Sequence, residues 1–390
     1  MPRRGVEVLA TCCWTCLLLA LGPSPAPAAT GSTTAQEVSV NPEGPVASPL
    51  GPDTHAPAPG TFEAPVHEEE GGFLTPVDPS VRPEDIRPTG PPTVLNLGPA
   101  AGGGDGTRSP GTFTLFRNHA LSDAETNNAT GFVAEPSVGV EGRVVFMSGN
   151  FFTAISGDYG QTFQYQNPAD NFPHDGVNDP IDGGFCCDQH VYYERTRGLF
   201  IWLLQYHEGG NGNRQRIAVA NSQQDVLNNT WYWYDLTPGM FGFAQSDHWL
   251  DFPDLTVSDG NLYVVTKIHR LSTPFAVPTN IVARIPLNQL AQGSAITVGY
   301  TVVQLQGVSC TDGATTTMYF GAHVNTTTLR VYSWADGSGT ISWHDVSHAA
   351  YNQGAMIATD PDGYNFAGHA DDWIWGAWVA NGVLGFMWPA

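Results

Sequence analysis

Apolar residues recur along this chain in short runs rather than at helical spacing. From residue 112 onward, runs of aromatic and β-branched residues are separated by Gly, Asn, Asp and Pro. No stretch keeps a sustained helical period, and residues 286–292 favour at most a turn or two of helix. Short β-favouring runs bounded by turn residues are typical of strands, so the pattern predicts an all-β domain over residues 112–390.

A coarse repeat runs through this domain. Each unit has a polar start, a short strand, a Gly or Asn turn and an apolar strand, and the units begin near residues 135, 188, 251, 322 and 371. The period of about 50 to 65 residues suits a four-stranded blade with a long loop, so the repeat predicts a β-propeller. A ring of six or seven blades needs more residues than these. The sequence therefore favours a propeller that lacks its C-terminal part, and an unrecognised closure of the ring is the alternative.

The N-terminal part of the chain has a different composition. Arg3 and Arg4 precede an apolar run over residues 6–21 and a small-residue cleavage site over residues 26–28, which together predict a signal peptide over residues 1–28. Residues 29–111 are rich in Pro, Gly, Ala and Thr and predict a disordered linker. We therefore expect a secreted, cell-surface or periplasmic protein with no transmembrane segment after signal cleavage.

The charge balance restricts the partners. The formal net charge is −22, and Lys267 is the only lysine of the chain. Binding nucleic acid requires Lys and Arg to neutralise phosphates, so the composition excludes nucleic acid as a partner. An acidic surface suits solubility, cations, and neutral or cationic ligands.

The cysteines do not form a disulfide scaffold. Three of the six lie in the predicted signal peptide, which leaves Cys186, Cys187 and Cys310. Three cysteines cannot all pair within one chain. Cys186 and Cys187 can form a vicinal disulfide, or Cys310 can pair with one of them. A metal site would need more ligands at short spacing.

One eight-residue motif predicts a specific turn. Residues 156–163 read S-x-D-x-G-x-T-F, with the defined positions Ser156, Asp158, Gly160, Thr162 and Phe163. The Asp carboxylate can accept hydrogen bonds from local backbone N–H groups, and Gly tolerates the positive φ of a tight turn. The motif predicts a structural hairpin turn between strands, with an ordinary Gly-rich hairpin as the alternative.

The motif resembles the Asp-box, or BNR repeat, of sialidase-like β-propellers. The resemblance covers residues 112–390 and implies a six- or seven-bladed sialidase-like propeller, with the box on a hairpin between outer strands. Where sialidases carry an Arg-Ile-Pro motif near the first blade, this chain reads Glu-Pro-Ser at residues 135–137. The domain also resembles a group of exported bacterial propellers with a Cys-Cys-Asp-Gln motif, here at residues 186–189.

The repeat gathers polar side chains from the strand starts around one predicted pocket, because the first strand of each blade lines the axis of a propeller. The catalytic candidates are Asp188, Asp254, Glu135 and His190. The candidates for substrate binding are Gln189, Asp251, His323, Asp372 and Arg214.

Three interpretations of the carboxylates compete. Asp188 and Asp254 can act as a glycosidase pair, with Glu135 in reserve. The carboxylates can instead bind Ca²⁺, which prefers several hard oxygen ligands, or they can simply cap strands and turns.

Two further patterns bear on function. His190 and nearby tyrosines, with Arg214 or Arg216 to neutralise a uronate, would suit a polysaccharide lyase. The many tryptophans can stack on sugar faces or pack between blades. The sequence favours a glycoside hydrolase acting on a glycan or polysaccharide. The alternatives are a non-catalytic propeller that binds glycan or protein at the cell surface, and a lyase.

Overall fold

The structure is a computed structural model that describes residues 10–11, 14–20, 29–47, 95–96, 112–113, 135–172, 182–208, 212–272, 278–351 and 373–389. Within these ranges the chain is almost entirely β, as the hydrophobic pattern predicts. The strands before residue 135 are β1 Ala10–Thr11, β2 Trp14–Ala20, β3 Thr30–Thr34, β4 Gln36–Val40, β5 Glu43–Ala47, β6 Leu95–Asn96 and β7 Thr112–Phe113.

The later strands follow one another at close spacing. They are β8 Ser137–Glu141, β9 Val144–Ser148, β10 Thr153–Ser156, β11 Gln164–Gln166, β12 Asp182–Glu194, β13 Leu199–Glu208, β14 Gln215–Ala220, β15 Thr230–Leu236, β16 His248–Val257, β17 Asn261–Arg270, β18 Asn280–Pro286, β19 Ile296–Val303, β20 Gln306–Cys310, β21 Thr317–Asn325, β22 Thr328–Ala335, β23 Thr340–Ser347, β24 Gly376–Ala380 and β25 Val383–Pro389. The short α-helices are α1 Pro168–Asn171, α2 Gln223–Leu227 and α3 Leu287–Gln292, and two 3-10 turns span Pro238–Phe241 and Gln245–Asp247. Helix α3 confirms the turn or two of helix predicted over residues 286–292.

Apart from the short β6–β7 pair, these strands form five antiparallel sheets, which we number I to V. Sheet I is β8–β9–β10–β11, sheet II is β12–β13–β14–β15–β5, sheet III is β16–β17–β18–β19–β4, sheet IV is β20–β21–β22–β23–β3, and sheet V is β24–β25–β2–β1. The first strands of successive sheets, namely β8, β12, β16, β20 and β24, contact one another. The sheets are therefore arranged in a propeller-like way around these first strands.

Apolar residues fill the spaces between successive sheets. Phe146 of sheet I meets Trp202 of sheet II edge-to-face at 5.2 Å between ring centroids. Tyr263 of sheet III meets Trp334 of sheet IV in the same way at 5.8 Å. Further clusters join sheets II and III and sheets IV and V. The inner strands β17 and β18 are buried along most of their length, so they read as nearly continuous apolar runs rather than as alternating patterns.

The number of large sheets differs from the six or seven blades that the resemblance implied. The described residues form five sheets of four or five strands. Sheet V combines strands from distant parts of the chain, because β2 pairs with β25 from Trp14↔Pro389 to Ala20↔Val383. The sequence repeat could not reveal this pairing, since the same residues carry the signal-peptide pattern. Export of the chain stays a prediction.

Residues 29–47 are not a disordered linker, in contrast to the prediction. They form three consecutive strands, and each adds to the outer edge of a different sheet: β3 to β23, β4 to β19 and β5 to β15. We call residues 29–47 the N-terminal strap. Composition was misleading because edge strands are held mainly by backbone hydrogen bonds and leave most side chains exposed. The remainder of the predicted linker lies outside the described residues, apart from the short β6–β7 pair.

Glycine allows the strap to lie directly on aromatic rings. A Cβ atom at Gly31 would collide with the indole of Trp343, and one at Gly44 would lie 2.7 Å from a ring carbon of Trp233. The low hydrophobicity of the strap therefore reflects close packing of its backbone, which is one use of glycine. Among the described residues, the structure contains no helix that is long and apolar enough to cross a membrane.

Candidate functional site

The first strands of sheets II, III and IV are irregular near their starts. The register shifts between Phe185 and Gln189 in β12, between Asp251 and Asp254 in β16, and between Gln306 and Ser309 in β20. Such bulges bend a strand and re-aim its side chains. The polar residues predicted at the strand starts of sheets II and III lie in or beside these bulges. The bulges therefore change the directions of these side chains from the regular alternation of a strand.

Asp254 is the centre of an electrostatic cluster on the first strands. Its side chain is solvent-exposed, yet surrounding protein atoms make burial the main cause that raises its pKa above 3.8. The electrostatic interaction with His190 of β12 opposes the rise in the pKa of Asp254, as does the Leu255 N–H, which donates to Asp254 Oδ1 at 2.8 Å.

Asp312 is the second carboxylate of this cluster. Its negative charge also raises the pKa of Asp254. Thr256, two residues after Asp254, donates its hydroxyl proton to Asp312 Oδ1 at 2.8 Å. The Asp312 backbone joins sheet IV to sheet V, because its N–H donates to the Ala377 carbonyl at 3.0 Å and its carbonyl accepts from the Val379 N–H at 2.8 Å. These contacts hold the Asp312 backbone against the first strands of both neighbouring sheets.

Two more side chains interact electrostatically with these carboxylates. Burial raises the pKa of the Cys310 thiol, and the charges of Asp254 and Asp312 raise it further. Burial also raises the pKa of Tyr192, with Asp312 as the next cause. Residues of β12, β16 and β20 therefore interact electrostatically with Asp254 or Asp312, and we call His190, Tyr192, Asp254, Cys310 and Asp312 the axial cluster. Asp312 was missed in the sequence, where it follows Cys310 in a short turn without a distinctive pattern.

The predicted pairing of Asp188 with Asp254 is not the one that the electrostatics favour. Asp188 is half-buried in the irregular part of β12. The charged neighbours that act on Asp254 are His190 and Asp312 instead. Glu135, the reserve carboxylate, lies just before β8 and accepts a hydrogen bond from Asn150 Nδ2 at 3.2 Å.

Asp251 belongs to a separate group at the start of β16. Its Oδ2 lies 3.2 Å from His269 Nε2 on the neighbouring strand. The His269 ring stacks on Trp249 with 5.0 Å between centroids. This places a carboxylate, an imidazole and an indole side by side at the end of the sheet where the first strands begin.

Two predicted site residues lie elsewhere. His323 is on β21, the second strand of sheet IV, and pairs with Gln306 of the first strand. The prediction that it begins a blade is wrong, because the second strand carries the same apolar pattern as a first strand. His323 packs edge-to-face on Trp388 at 4.9 Å. Asp372 lies outside the described residues.

Gln189 is a structural residue in this arrangement. Its side chain is 2 % exposed. Its Nε2 donates to the carbonyls of Gly149 at 2.7 Å and Phe152 at 3.3 Å, and its Oε1 accepts from Trp202 Nε1 at 2.9 Å. Because these bonds occupy both ends of the amide, Gln189 ties β12 to sheet I instead of binding a substrate.

Arg214 and Arg216 form a buried ion-pair group. Arg216 is 1 % exposed, and its Nε and Nη2 donate to the two oxygens of Asp235 at 2.7 and 2.8 Å. Arg214 Nη1 donates to the same carboxylate. The Arg216 guanidinium also lies 4.9 Å from the Tyr206 ring centroid. The prediction of a substrate-binding arginine fails here, since both side chains are buried and bound to one aspartate.

The turn at residues 156–163 has the hydrogen bonds predicted for it. Asp158 Oδ1 accepts from the backbone N–H groups of Gln161 at 3.0 Å and Thr162 at 2.9 Å. The hydroxyl of Ser156 donates to Asp158 Oδ1 at 2.8 Å and accepts from the Gly160 N–H at 2.8 Å. Gly160 has a φ of +75°, as a tight turn requires. The turn joins β10 to β11 and is a local structural feature, with Phe163 packed beside Phe152 and Ala154.

We expect Asp158→Asn to lose stability in a pH-dependent way. Hydrogen bonds from Thr162 and Ser156 lower the pKa of Asp158 from 3.8 to about 2. A depressed folded-state pKa stabilises the fold above pH 3.8, and this contribution disappears as the pH falls through about 2. Urea unfolding at pH 7, 3 and 2 should show a lower midpoint for the variant at pH 7 and converging midpoints at pH 2. The exposed Asp259→Asn is the control, and a constant offset for Asp158→Asn at all three pH values would contradict the expectation.

The cysteines take one of the two arrangements left open by the sequence. Cys186 and Cys187 form a vicinal disulfide within the bulge of β12. Cys310 is a buried free thiol. In the part of the chain that the structure describes, no group of three or more His, Cys, Asp or Glu side chains could hold a metal ion. The calcium interpretation stays a prediction.

The tryptophans divide into packing and exposed groups. Trp231 and Trp233 are 0 % and 3 % exposed and lie in the core between sheets I and II. Trp375, just before β24, is 44 % exposed. The packing interpretation therefore holds for the first pair, and Trp375 remains available for a ligand.

Comparisons with known proteins give little further information. No protein-family model matches this chain, and no curated protein matches it. One similar solved structure is a GH43 β-1,3-galactosidase with galactodeoxynojirimycin, at a TM-score of 0.32 and 12 % identity over 55 % of this chain and 75 % of that one. Another is a GH43_12 protein retrieved from a capybara gut metagenome, at a TM-score of 0.30 and 12 % identity over 67 % of this chain and 51 % of that one. TM-scores this low carry no argument about activity.

Proposed function

We propose that the five sheets are the blades of a five-bladed propeller and that the protein hydrolyses glycosidic bonds in a glycan at the centre of the ring. The observation that carries this proposal is the axial cluster, in which Asp254 has a raised pKa beside a second carboxylate, Asp312. Glycoside hydrolysis commonly needs two carboxyl groups whose environments differ, one protonated and one ionised.

The roles follow from the surroundings of each carboxyl group. Asp254 is assigned as the general acid, because burial raises its pKa above 3.8 and a carboxyl group with a raised pKa is suited to protonating the glycosidic oxygen. Asp312 is exposed and is oriented by the Thr256 hydroxyl, so it is placed to activate water or to attack the sugar. His190 interacts electrostatically with Asp254 and opposes the rise in its pKa.

The test is the release of reducing sugar from a panel of polysaccharides. We expect Asp254→Asn to lower the rate by about 10²–10⁴-fold, the usual contribution of a positioned acid. Asp312→Asn should cause a similar loss. Asp259→Asn, which changes an exposed aspartate on the turn between β16 and β17, is the matched control and should keep the wild-type rate.

The same experiment separates the alternatives. A wild-type rate in Asp254→Asn would exclude this residue as the acid. Products that absorb as unsaturated uronates would indicate a lyase. Glycan binding without any product would favour a non-catalytic propeller. For the hydrolase, the alkaline limb of the kcat/KM profile should lie above the ordinary aspartate value of 3.8, because the pKa of Asp254 is raised.

A further inference from the structure

Phe252 has an unusual backbone conformation next to the axial cluster. It lies in the bulge of β16, two residues before Asp254, and its φ is +49°. Bulky residues rarely adopt this left-handed region, and such strain tends to occur at functional sites. At the corresponding point in β20, directly after the last pair before the bulge, the residue is Gly307 with a φ of +64°. Sheet III thus keeps an aromatic side chain where sheet IV has glycine.

The Phe252 ring faces two tryptophans in the segment just before β24, Trp373 and Trp375. The ring centroids of Phe252 and Trp373 are 5.5 Å apart at an interplanar angle of 80°. Those of Phe252 and Trp375 are 6.2 Å apart at 86°. We call Phe252, Trp373 and Trp375 the aromatic platform.

The backbone around the platform is fixed. A Cβ atom at Gly307 would lie 2.6 Å from the Cα of Trp373, so glycine at this position lets the segment before β24 approach β20. The Trp375 N–H donates to the Met387 carbonyl at 2.9 Å. A platform held in this way loses little conformational entropy when a ligand binds.

Polar groups border the platform. Lys267 Nζ lies 5.0 Å from the Phe252 centroid and 2.9 Å from the Trp373 centroid. Asp251, which pairs with His269, directly precedes Phe252. Sugars combine apolar C–H faces with hydroxyl groups, and a rigid aromatic surface bordered by charged and polar side chains suits both. Trp375 is 44 % exposed, so part of its ring is accessible to a ligand.

We propose that the aromatic platform is a subsite that stacks against a pyranose residue of the glycan. The inference deepens the proposed function, since it places one sugar unit of the same ligand beside Asp254. Trp375 offers the exposed face, and Phe252 is a positioning residue that sets the angle between the rings.

Binding to an array of neutral and acidic polysaccharides tests the subsite, with Asp254→Asn as the parent so that bound glycan is not cleaved. We expect Trp375→Ala in this parent to weaken binding at least tenfold, and Trp375→Phe to retain part of it. Tyr159→Ala is the control, because Tyr159 is 65 % exposed in the distant turn of sheet I and should have no effect. Circular dichroism of each variant verifies folding, and the Phe variant keeps the test valid where the Ala variant fails to fold.

The outcomes distinguish this inference from the proposed hydrolysis. Equal binding by the Trp375→Ala and Tyr159→Ala variants would overturn the subsite, as would a parent that binds no pyranose polysaccharide on the array. Binding that depends on Trp375 without any hydrolysis by the wild type would support the subsite and refute the hydrolase. Hydrolysis that is lost in Asp254→Asn, together with glycan binding that does not change in Trp375→Ala, would support the hydrolase and refute the subsite.

Discussion

Replacing Asp235 with alanine is expected to lower the free energy of unfolding by about 3–5 kcal/mol, the usual effect of removing one partner of a buried ion pair. Asp235 accepts hydrogen bonds from Arg216 at 2.7 and 2.8 Å and also from Arg214. Both arginines are nearly inaccessible, with exposures of 1 % and 5 %. The substitution leaves two guanidinium groups in the interior without their carboxylate, and water cannot replace it.

Urea unfolding measures this effect, and the chain offers a matched control. Arg270 and Asp247 form the same kind of pair at 2.8 Å, but their side chains are 46 % and 25 % exposed. Asp247→Ala should therefore cost much less, because water solvates the arginine that remains. Equal losses in the two variants would show that the Arg214–Arg216–Asp235 group is not a buried structural element.

Removing the N-terminal strap, residues 29–47, is expected to lower the Tm by at least about 10 °C, the effect of losing only a few of the backbone hydrogen bonds that join it to β15, β19 and β23. Each backbone hydrogen bond contributes about 1 kcal/mol net, and each kcal/mol moves the Tm of a domain this large by about 2–4 °C. The deletion also exposes the outer edges of β15, β19 and β23, and exposed edges pair with other chains. Thermal unfolding followed by circular dichroism, with light scattering for aggregation, checks both effects.

Single substitutions distinguish the loss of strap pairing from a general effect of shortening the chain. Gly31→Val should destabilise the protein, because its side chain would collide with Trp343 and displace β3 from β23. Gly337→Ala, in the turn between β22 and β23, is the control, since no atom lies within 4 Å of the added Cβ. An unchanged Tm for Gly31→Val, or for the deletion, would mean that the strap does not hold these edges.

The candidate site was predictable from the sequence only in part. The repeat pointed to the starts of the first strands, and it included Asp254 and His190, which interact electrostatically in the structure. It also included Gln189, because sequence spacing shows where a polar residue lies along a strand and not which way its side chain points. The bulges of β12, β16 and β20 change that direction. Asp312 was missed because its position depends on the junction between sheets IV and V.

The strap shows the same limit at the level of the fold. Residues 29–47 lack the hydrophobicity of a strand that must bury a face, so composition predicted disorder. Their strands are stable because outer edges of three sheets already offer backbone hydrogen-bond partners at the right spacing. That template exists only after the sheets have formed, and no local signal in the strap encodes it.

The sequence by itself determined the β character of the domain, the spacing of its strands and the hydrogen-bonded turn at residues 156–163. These features depend on the periodicity and turn chemistry of neighbouring residues, which act over a few positions. The tertiary structure alone decided the five sheets, the strap, the partner of Asp254 and the aromatic platform. Each of these joins residues far apart in the chain, and their meeting depends on how whole sheets pack and where their strands bulge.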